Sequence, residues 1–339
     1  MARLPPPIYN DITQIIGNTP IVRLNPKKFS VNNNTALQEE GARSHGNVEY
    51  LVKLEYTNGL SGSIKDRVAK KILADAERSN KIKPGTTLLI PSSGNLGLQC
   101  FKWVRRDVII VTVNTYLLTH FNSLYSHLFR CYNIFVAISI ALLARQRGYK
   151  TIALVPERTT IDRIQVLKSL GVEIIRTPNE ARPGHSESNF DLAIKLSTEI
   201  ANSVVIDEFT NQSNIQEHYE ETAQEIYTQV EGKLDVLVVG VESGGSITGI
   251  AKSLKVNIPG LKVIAVEPQH SKIREDEAGG SSFIRKDRKV EDIGNNFIPP
   301  IIDFTLIDEW IKISDRDSYI MAKKLISEGF LAGPSSGSV

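Results

Sequence analysis

Cysteine is nearly missing from this sequence. Its 339 residues hold two, Cys100 and Cys131, too few for a disulfide framework. An excess of either charge is missing as well: 40 Lys and Arg against 38 Asp and Glu leave a formal net charge of +2. With no sustained basic stripe, nothing directs the chain to nucleic acid. The opening Met1-Ala2-Arg3-Leu4-Pro5-Pro6-Pro7 has no apolar core and does not read as a signal peptide. His45, His120, His127, His185, His218 and His270 show no metal-ligand spacing, so no metal is expected. Its glycine turns fit neither the dinucleotide fingerprint nor the Walker loop. These absences leave a cytoplasmic globular enzyme as the expectation, with no membrane and no nucleic acid among its partners. Two subdomains are expected, because single cores stop growing at roughly 250–300 residues.

From residue 49 onward, apolar runs alternate with segments of helical period. Strands are predicted at 50–55, 87–90, 151–155, 172–175, 235–239 and 263–266. Helices are predicted at 65–79, with Val68, Ile72, Leu73 and Ala76 inward, at 161–170 and at 247–254. His218 and Tyr219 fall in a further helical stretch, where packing is their expected role. This alternation implies βαβ units and mostly parallel sheets. Ligands in such sheets sit where glycine-rich turns leave strand ends and meet helix starts.

One stretch stands apart. Residues 98–137 contain no Gly, Pro or Glu but hold both cysteines and eight aromatics: Phe101, Trp103, Tyr116, Phe121, Tyr125, Phe129, Tyr132 and Phe135. Asn114, His120, Asn122 and His127 make it too polar for a membrane span. Its removal joins Gly97 to the helical Ile138-Ser139-Ile140-Ala141. A non-native insertion, such as translated non-coding sequence, is the expectation.

Four turns carry chemistry. In Gly59-Leu60-Ser61-Gly62-Ser63-Ile64-Lys65, a Gly/Ser turn delivers a lysine to a helix start. The positive end of the helix is expected to disfavour the ammonium and favour a nucleophilic amine. Ser92-Ser93-Gly94-Asn95-Leu96-Gly97 offers N–H groups and hydroxyls to a carboxylate. Ser243-Gly244-Gly245-Ser246 precedes a helix and suits a phosphate. Gly333-Pro334-Ser335-Ser336 places a hydroxyl able to face a ring nitrogen. Singly, each reads as an ordinary turn.

In this order they resemble the fold-type-II pyridoxal-phosphate enzymes of the cystathionine β-synthase and cysteine synthase family. Gly62-Ser63-Ile64-Lys65-Asp66-Arg67 is similar to the family's lysine motif, and Ile16-Gly17-Asn18-Thr19-Pro20 to its N-terminal signature. Arg176-Thr177-Pro178-Asn179-Glu180-Ala181-Arg182 and Gly232-Lys233-Leu234-Asp235 bring it nearer to cystathionine β-synthase. The resemblance implies an α/β fold of two three-layer αβα subdomains with mostly parallel sheets, like tryptophan synthase β. Its boundaries would be 46–211 for one subdomain and 212–339 plus 12–45 for the other.

The resemblance also implies pyridoxal 5'-phosphate as cofactor, with Lys65 as its Schiff-base lysine and the base at substrate Cα. Asn95 would bind the ring hydroxyl, Ser243, Gly244, Gly245 and Ser246 the phosphate, and Ser335 the pyridine nitrogen. Ser92, Ser93, Gly94 and Asn95 would bind the substrate carboxylate. The implied reaction is β-replacement on serine by a thiol, in a homodimer. Homocysteine would give cystathionine; activated serine with sulfide would give cysteine. A cofactor-binding relative that works through protein contacts is a reading of another class.

Several positions depart from the family pattern. Glu242 stands where the phosphate loop begins with Gly, and Leu96 where Thr is usual. Glu208 replaces a Gln that helps hold the substrate carboxylate, and Asp292 replaces a Gly. The family pattern continues beyond Val339 into a helix.

Overall fold

The computed structural model describes residues 8–25, 48–92, 109–113, 135–157, 159, 161–179, 184–274, 290 and 292–339. Its strands are β1 (Ile21–Arg23), β2 (Tyr50–Leu54), β3 (Thr87–Pro91), β4 (Ile109–Val113) and β5 (Lys150–Pro156). They continue with β6 (Glu173–Thr177), β7 (Ser203–Val205), β8 (Val236–Gly240), β9 (Lys262–Pro268) and β10 (Glu309–Ile313). The helices are α1 (Lys65–Arg78), α2 (Phe135–Gln146), α3 (Ile161–Ser169), α4 (Asn189–Glu199) and α5 (Gln212–Glu217). A π turn (His218–Thr222) leads from α5 into α6 (Ala223–Gln229), and α7 (Gly245–Asn257), α8 (Asp315–Ser327) and α9 (Pro334–Ser338) follow.

Two sheets organise these elements. One has four parallel strands in the order β6-β5-β3-β7. The other has six, β1-β2-β4-β8-β9-β10, parallel except for its antiparallel edge strand β1. Side-chain alternation along each strand feeds two helical layers. Leu88 and Ile90 of β3 meet Val68, Ile72 and Leu73 of α1 and Ile140 and Leu143 of α2. Leu89, between them, turns to the other face with Ile152 and Leu154 and meets Ala193 of α4. The six-stranded sheet repeats the arrangement. Leu237 and Val239 pack on Ile226 of α6 and Ile250 of α7, while Val236 and Val238 pack toward Leu325 of α8. Each aliphatic side chain so buried contributes roughly 1.5–3 kcal/mol.

The expected boundary at residue 211 does not separate the sheets. β2, at 50–54, joins the six-stranded sheet, while β3, β5, β6 and β7 form the other. Parallel strands need crossover connections, so neighbours in sequence need not be neighbours in a sheet. The unusual segment 98–137 also takes part: its residues 109–113 form β4, hydrogen-bonded between β2 and β8. Its last three residues, Phe135, Val136 and Ala137, are the buried first turn of α2, so that helix starts before the expected Ile138.

Candidate active site

The turn before α1 is built around Asp66. Its carboxylate accepts from the backbone N–H groups of Leu60 and Ser61 at 3.2 and 2.8 Å. It also accepts from the hydroxyls of Ser61 and Ser139 at 2.5 and 2.6 Å. Gly62 makes the turn possible with φ +76°, a left-handed conformation that favours glycine. The result delivers Lys65 as the first residue of α1, buried within the protein.

Behind it, Arg67 anchors the helix. Its guanidinium donates to Glu55 at 2.8 and 3.0 Å and to Glu225 at 2.6 and 2.8 Å. Thr19, in the turn after Gly17, accepts from Arg67 at 3.1 Å and donates to Glu55 at 2.6 Å. Burial would raise the Glu225 carboxyl, but Arg67 and Lys53 outweigh it and hold the group near 2.

Lys65 Nζ donates to two buried carboxylates. One is Glu242 Oε2 at 2.8 Å; the other is Glu208, still closer. Burial alone would lower the lysine, yet the two carboxylates overcome it and lift Lys65 well above its ordinary value. Burial first, and then the like charge of Glu242, raises Glu208 to about 7 against the pull of Lys65. This corrects the expectation of a helix end that frees the amine. At close range two full charges exceed the partial charge of a helix terminus.

Glu242 stands directly before the glycine turn. Gly244 has φ +86°, and a Cβ there would lie 1.9 Å from Ile302 Cγ1. A Cβ on Gly245 would lie 2.1 Å from Asn214 Oδ1, so the cradle excludes side chains at both positions. Asn214 Nδ2 ties the turn to the Glu208 loop by donating to Ser243 Oγ at 3.1 Å and to Glu208 O at 2.9 Å. Ser246 Oγ pairs with His218 Nε2 at 3.1 Å, while His218 Nδ1 meets Thr222 Oγ1 at 3.0 Å. Burial drives His218 down to about 3, so the ring is neutral. The turn opens α7, a helix of 13 residues whose free N–H groups suit an anion.

Ser335 lies in α9, which packs against β8 and β9. Its buried hydroxyl has no hydrogen-bond partner among the described residues. Ser92 follows β3 directly, buried, with its N–H on Leu154 O at 2.9 Å. Ser93, Gly94 and Asn95, together with Leu96 and Gly97, lie outside the described residues. The structure thus joins Lys65 to the start of the glycine turn through Glu242. Sequence reasoning named Glu208 and Glu242 as separate departures and did not foresee that both meet one amine. It missed Asn214 altogether, and it left His218 as packing.

The family model for pyridoxal-phosphate dependent enzymes matches residues 12–101 and 136–339. The chain belongs to this family. The unmatched 102–135 nearly coincide with the segment set apart by composition, and β4 falls inside them. Mouse (Mus musculus) cystathionine β-synthase is 37% identical over 334 residues, 98% of this chain and 50% of that protein. A probable cysteine synthase of Bacillus subtilis is 33% identical over 335 residues, 97% of this chain and 86% of its own. Among solved structures, the O-acetylserine dependent cystathionine β-synthase of Helicobacter pylori superposes with TM-score 0.70 at 26% identity. That match covers 98% of this chain and 88% of the other. The chain spans about half the length of the mouse enzyme it matches.

The residues present fit the family's cofactor. Ile302 and Asn214 pack so closely on Gly244 and Gly245 that only glycine fits the turn opening α7, a helix start that suits a phosphate, and the Ser335 hydroxyl has no partner among the described residues. Lys65 supplies the amine, held for now by its two carboxylates. Among the described residues no helix is long and apolar enough to cross a membrane.

Proposed function

We propose that this member of the family catalyses β-replacement on serine by a thiol, with homocysteine as acceptor and cystathionine as product. The observation that carries the reading is the juxtaposition at Lys65. A buried lysine at a helix start reaches, at 2.8 Å, the residue that opens a glycine cradle at a second helix start. The mouse enzyme's name favours the same product, and the Helicobacter pylori enzyme, O-acetylserine dependent by name, favours that product from an activated serine.

Pyridoxal phosphate, when bound, supplies a carbonyl for Lys65 and an electron sink for charge developing at the substrate's Cα. Ser243, Gly244, Gly245 and Ser246 would hold its phosphate, Asn95 its ring hydroxyl and Ser335 its pyridine nitrogen. A neutral hydroxyl at that nitrogen leaves it unprotonated, which suits loss of the β-hydroxyl over full carbanion delocalisation. Lys65 Nζ would take the Cα proton, and Ser92 with Ser93 and Gly94 would orient the carboxylate. The protein would act in the cytoplasm as a homodimer. The name of the Bacillus subtilis relative supports a second acceptor, sulfide with activated serine.

A cofactor-binding relative without catalysis is favoured by one observation, the carboxylates on Lys65 Nζ. The visible spectrum of the full chain with added pyridoxal phosphate tests both. A band that borohydride fixes on Lys65, and that shifts with serine, supports the enzyme; product assays with homocysteine and sulfide then choose the acceptor. A band indifferent to serine supports the non-catalytic relative. If no band forms and Lys65→Ala behaves as the parent, both readings fail.

A further inference from the structure

The Lys65 amine cannot attack a carbonyl while it is an ammonium, and it sits in a pocket that favours the ammonium. Two of its hydrogens are directed at carboxylates, Glu242 Oε2 at 2.8 Å and Glu208 Oε2 closer still. All three groups are buried, so bulk water is poorly placed to collect the proton. The other charged groups near by are badly placed as acceptors. Asp66 of α1 is engaged with Leu60, Ser61 and Ser139. His218 is engaged at both ring nitrogens, by Thr222 and Ser246. Asp207 accepts from Thr210 and from the Phe209 N–H.

We propose that Glu208 is the proton-exchange partner of Lys65, with Glu242 as the fixed anchor that keeps the amine in place. Glu208 makes the closer contact with the amine. It lies beside both Glu242 and Asp207, whose like charges favour its neutral form. The step balances within the site. The Lys65 ammonium passes one proton to the Glu208 carboxylate, giving a neutral amine and a neutral acid. The amine then attacks a carbonyl carbon; the C=O bond is replaced by C=N, and the oxygen leaves as water with the two remaining amine hydrogens. The site's net charge is unchanged, and Glu242 keeps its hydrogen bond from the amine. The inference rests on Lys65 being the reactive lysine of the proposed function, but its tests need neither substrate nor cofactor.

The full chain, first treated with hydroxylamine to release any carbonyl on Lys65, is acetylated with an N-hydroxysuccinimide ester across a pH series. Peptide mass spectrometry follows Lys65, with exposed Lys233 as internal reference. Lys65 should react only at higher pH than Lys233. Glu208→Gln should move its midpoint down by about one pH unit or more, a tenfold gain at fixed pH. A Lys65 midpoint at or below that of Lys233, or one unmoved by Glu208→Gln, overturns the proposal. Infrared spectroscopy identifies the acceptor. In difference spectra against the parent at neutral pH, which cancel the buried Glu217, Lys65→Met removes the cation and should add a protonated-carboxyl band that Lys65→Met/Glu208→Gln lacks. An added band that survives in the double variant's difference spectrum assigns the proton to Glu242 and overturns the assignment to Glu208. Absence of pyridoxal phosphate binding would sink the proposed function and leave these results standing.

Discussion

Arg67 and Glu55 form a fully sealed ion pair, Nε to Oε2 at 2.8 Å, with both side chains closed to solvent. The pair sets where α1 begins, because Arg67 is its third residue and Glu55 directly follows β2. Lys53 and Glu225 extend the network at 2.9 Å, and Thr19 closes it. Lys65, two residues ahead of Arg67, is aimed at the site by charges on its opposite side. Such a network specifies one arrangement strongly, since breaking it strands a charge in the interior.

Arg67→Met should therefore be severe. Removing one partner of a buried pair leaves Glu55 uncompensated and costs about 3 kcal/mol or more. Thermal unfolding checks this, and a double Arg67→Met/Glu55→Met variant should recover part of the loss. A single variant that melts like the parent would contradict the role given to the pair.

Asp292→Gly should stabilise. Asp292 has φ +70°, where a Cβ is strained and glycine is not. Relief of that strain is worth about 1 kcal/mol. Urea denaturation should show a higher midpoint with an unchanged slope.

Glu217 should make the protein sensitive to alkali. Neither of its carboxylate oxygens has a hydrogen-bond partner among the described residues, and the side chain is sealed. Burial first, and then the like charge of Glu221, raises it to about 8. A folded value above the unfolded one favours folding at low pH, and that contribution fades as pH rises from the ordinary carboxylate range through about 8. Glu217→Gln should match the parent's melting temperature in mild acid and exceed it by about 3 °C or more in alkali. Equal melting temperatures across the whole range would show that Glu217 is not buried in charged form.

Ser335→Ala should separate cofactor binding from stability. Its hydroxyl makes no bond among the described residues, so its loss should change stability by less than about 0.5 kcal/mol. Pyridoxal phosphate affinity, read by absorbance titration, should fall about tenfold for one lost hydrogen bond. Unchanged affinity would remove Ser335 from the cofactor site.

Much of this was legible in the chain itself. The helix expected at 65–79 is α1, and its inward Val68, Ile72 and Leu73 are buried. Strands expected from apolar runs are present with ends shifted by one or two residues. Strands β1, β4, β7 and β10 were not among those expected; β1 and β7, at three residues each, carry too little alternation to stand out. The family was readable because turn chemistry is local. A Gly/Ser turn ending in Lys65 and a Gly-Gly turn opening α7 need only a few residues each.

Long-range partnership was not legible. Glu208 and Glu242 looked like two unrelated departures, and Lys65 looked like an amine freed by a helix end. Sequence alone determined the α/β layering, the position of Lys65 at a helix start and the glycine cradle, because periodicity and turn geometry act over neighbouring residues. The tertiary structure alone decided that residues 65, 208 and 242 share one buried site and that β2 pairs with β4, a strand from beyond residue 100. It also set the lysine beside two carboxylates that favour its ammonium form. Coulomb interactions and desolvation depend on distance in space, and separations of 143 and 177 residues leave no trace in local pattern.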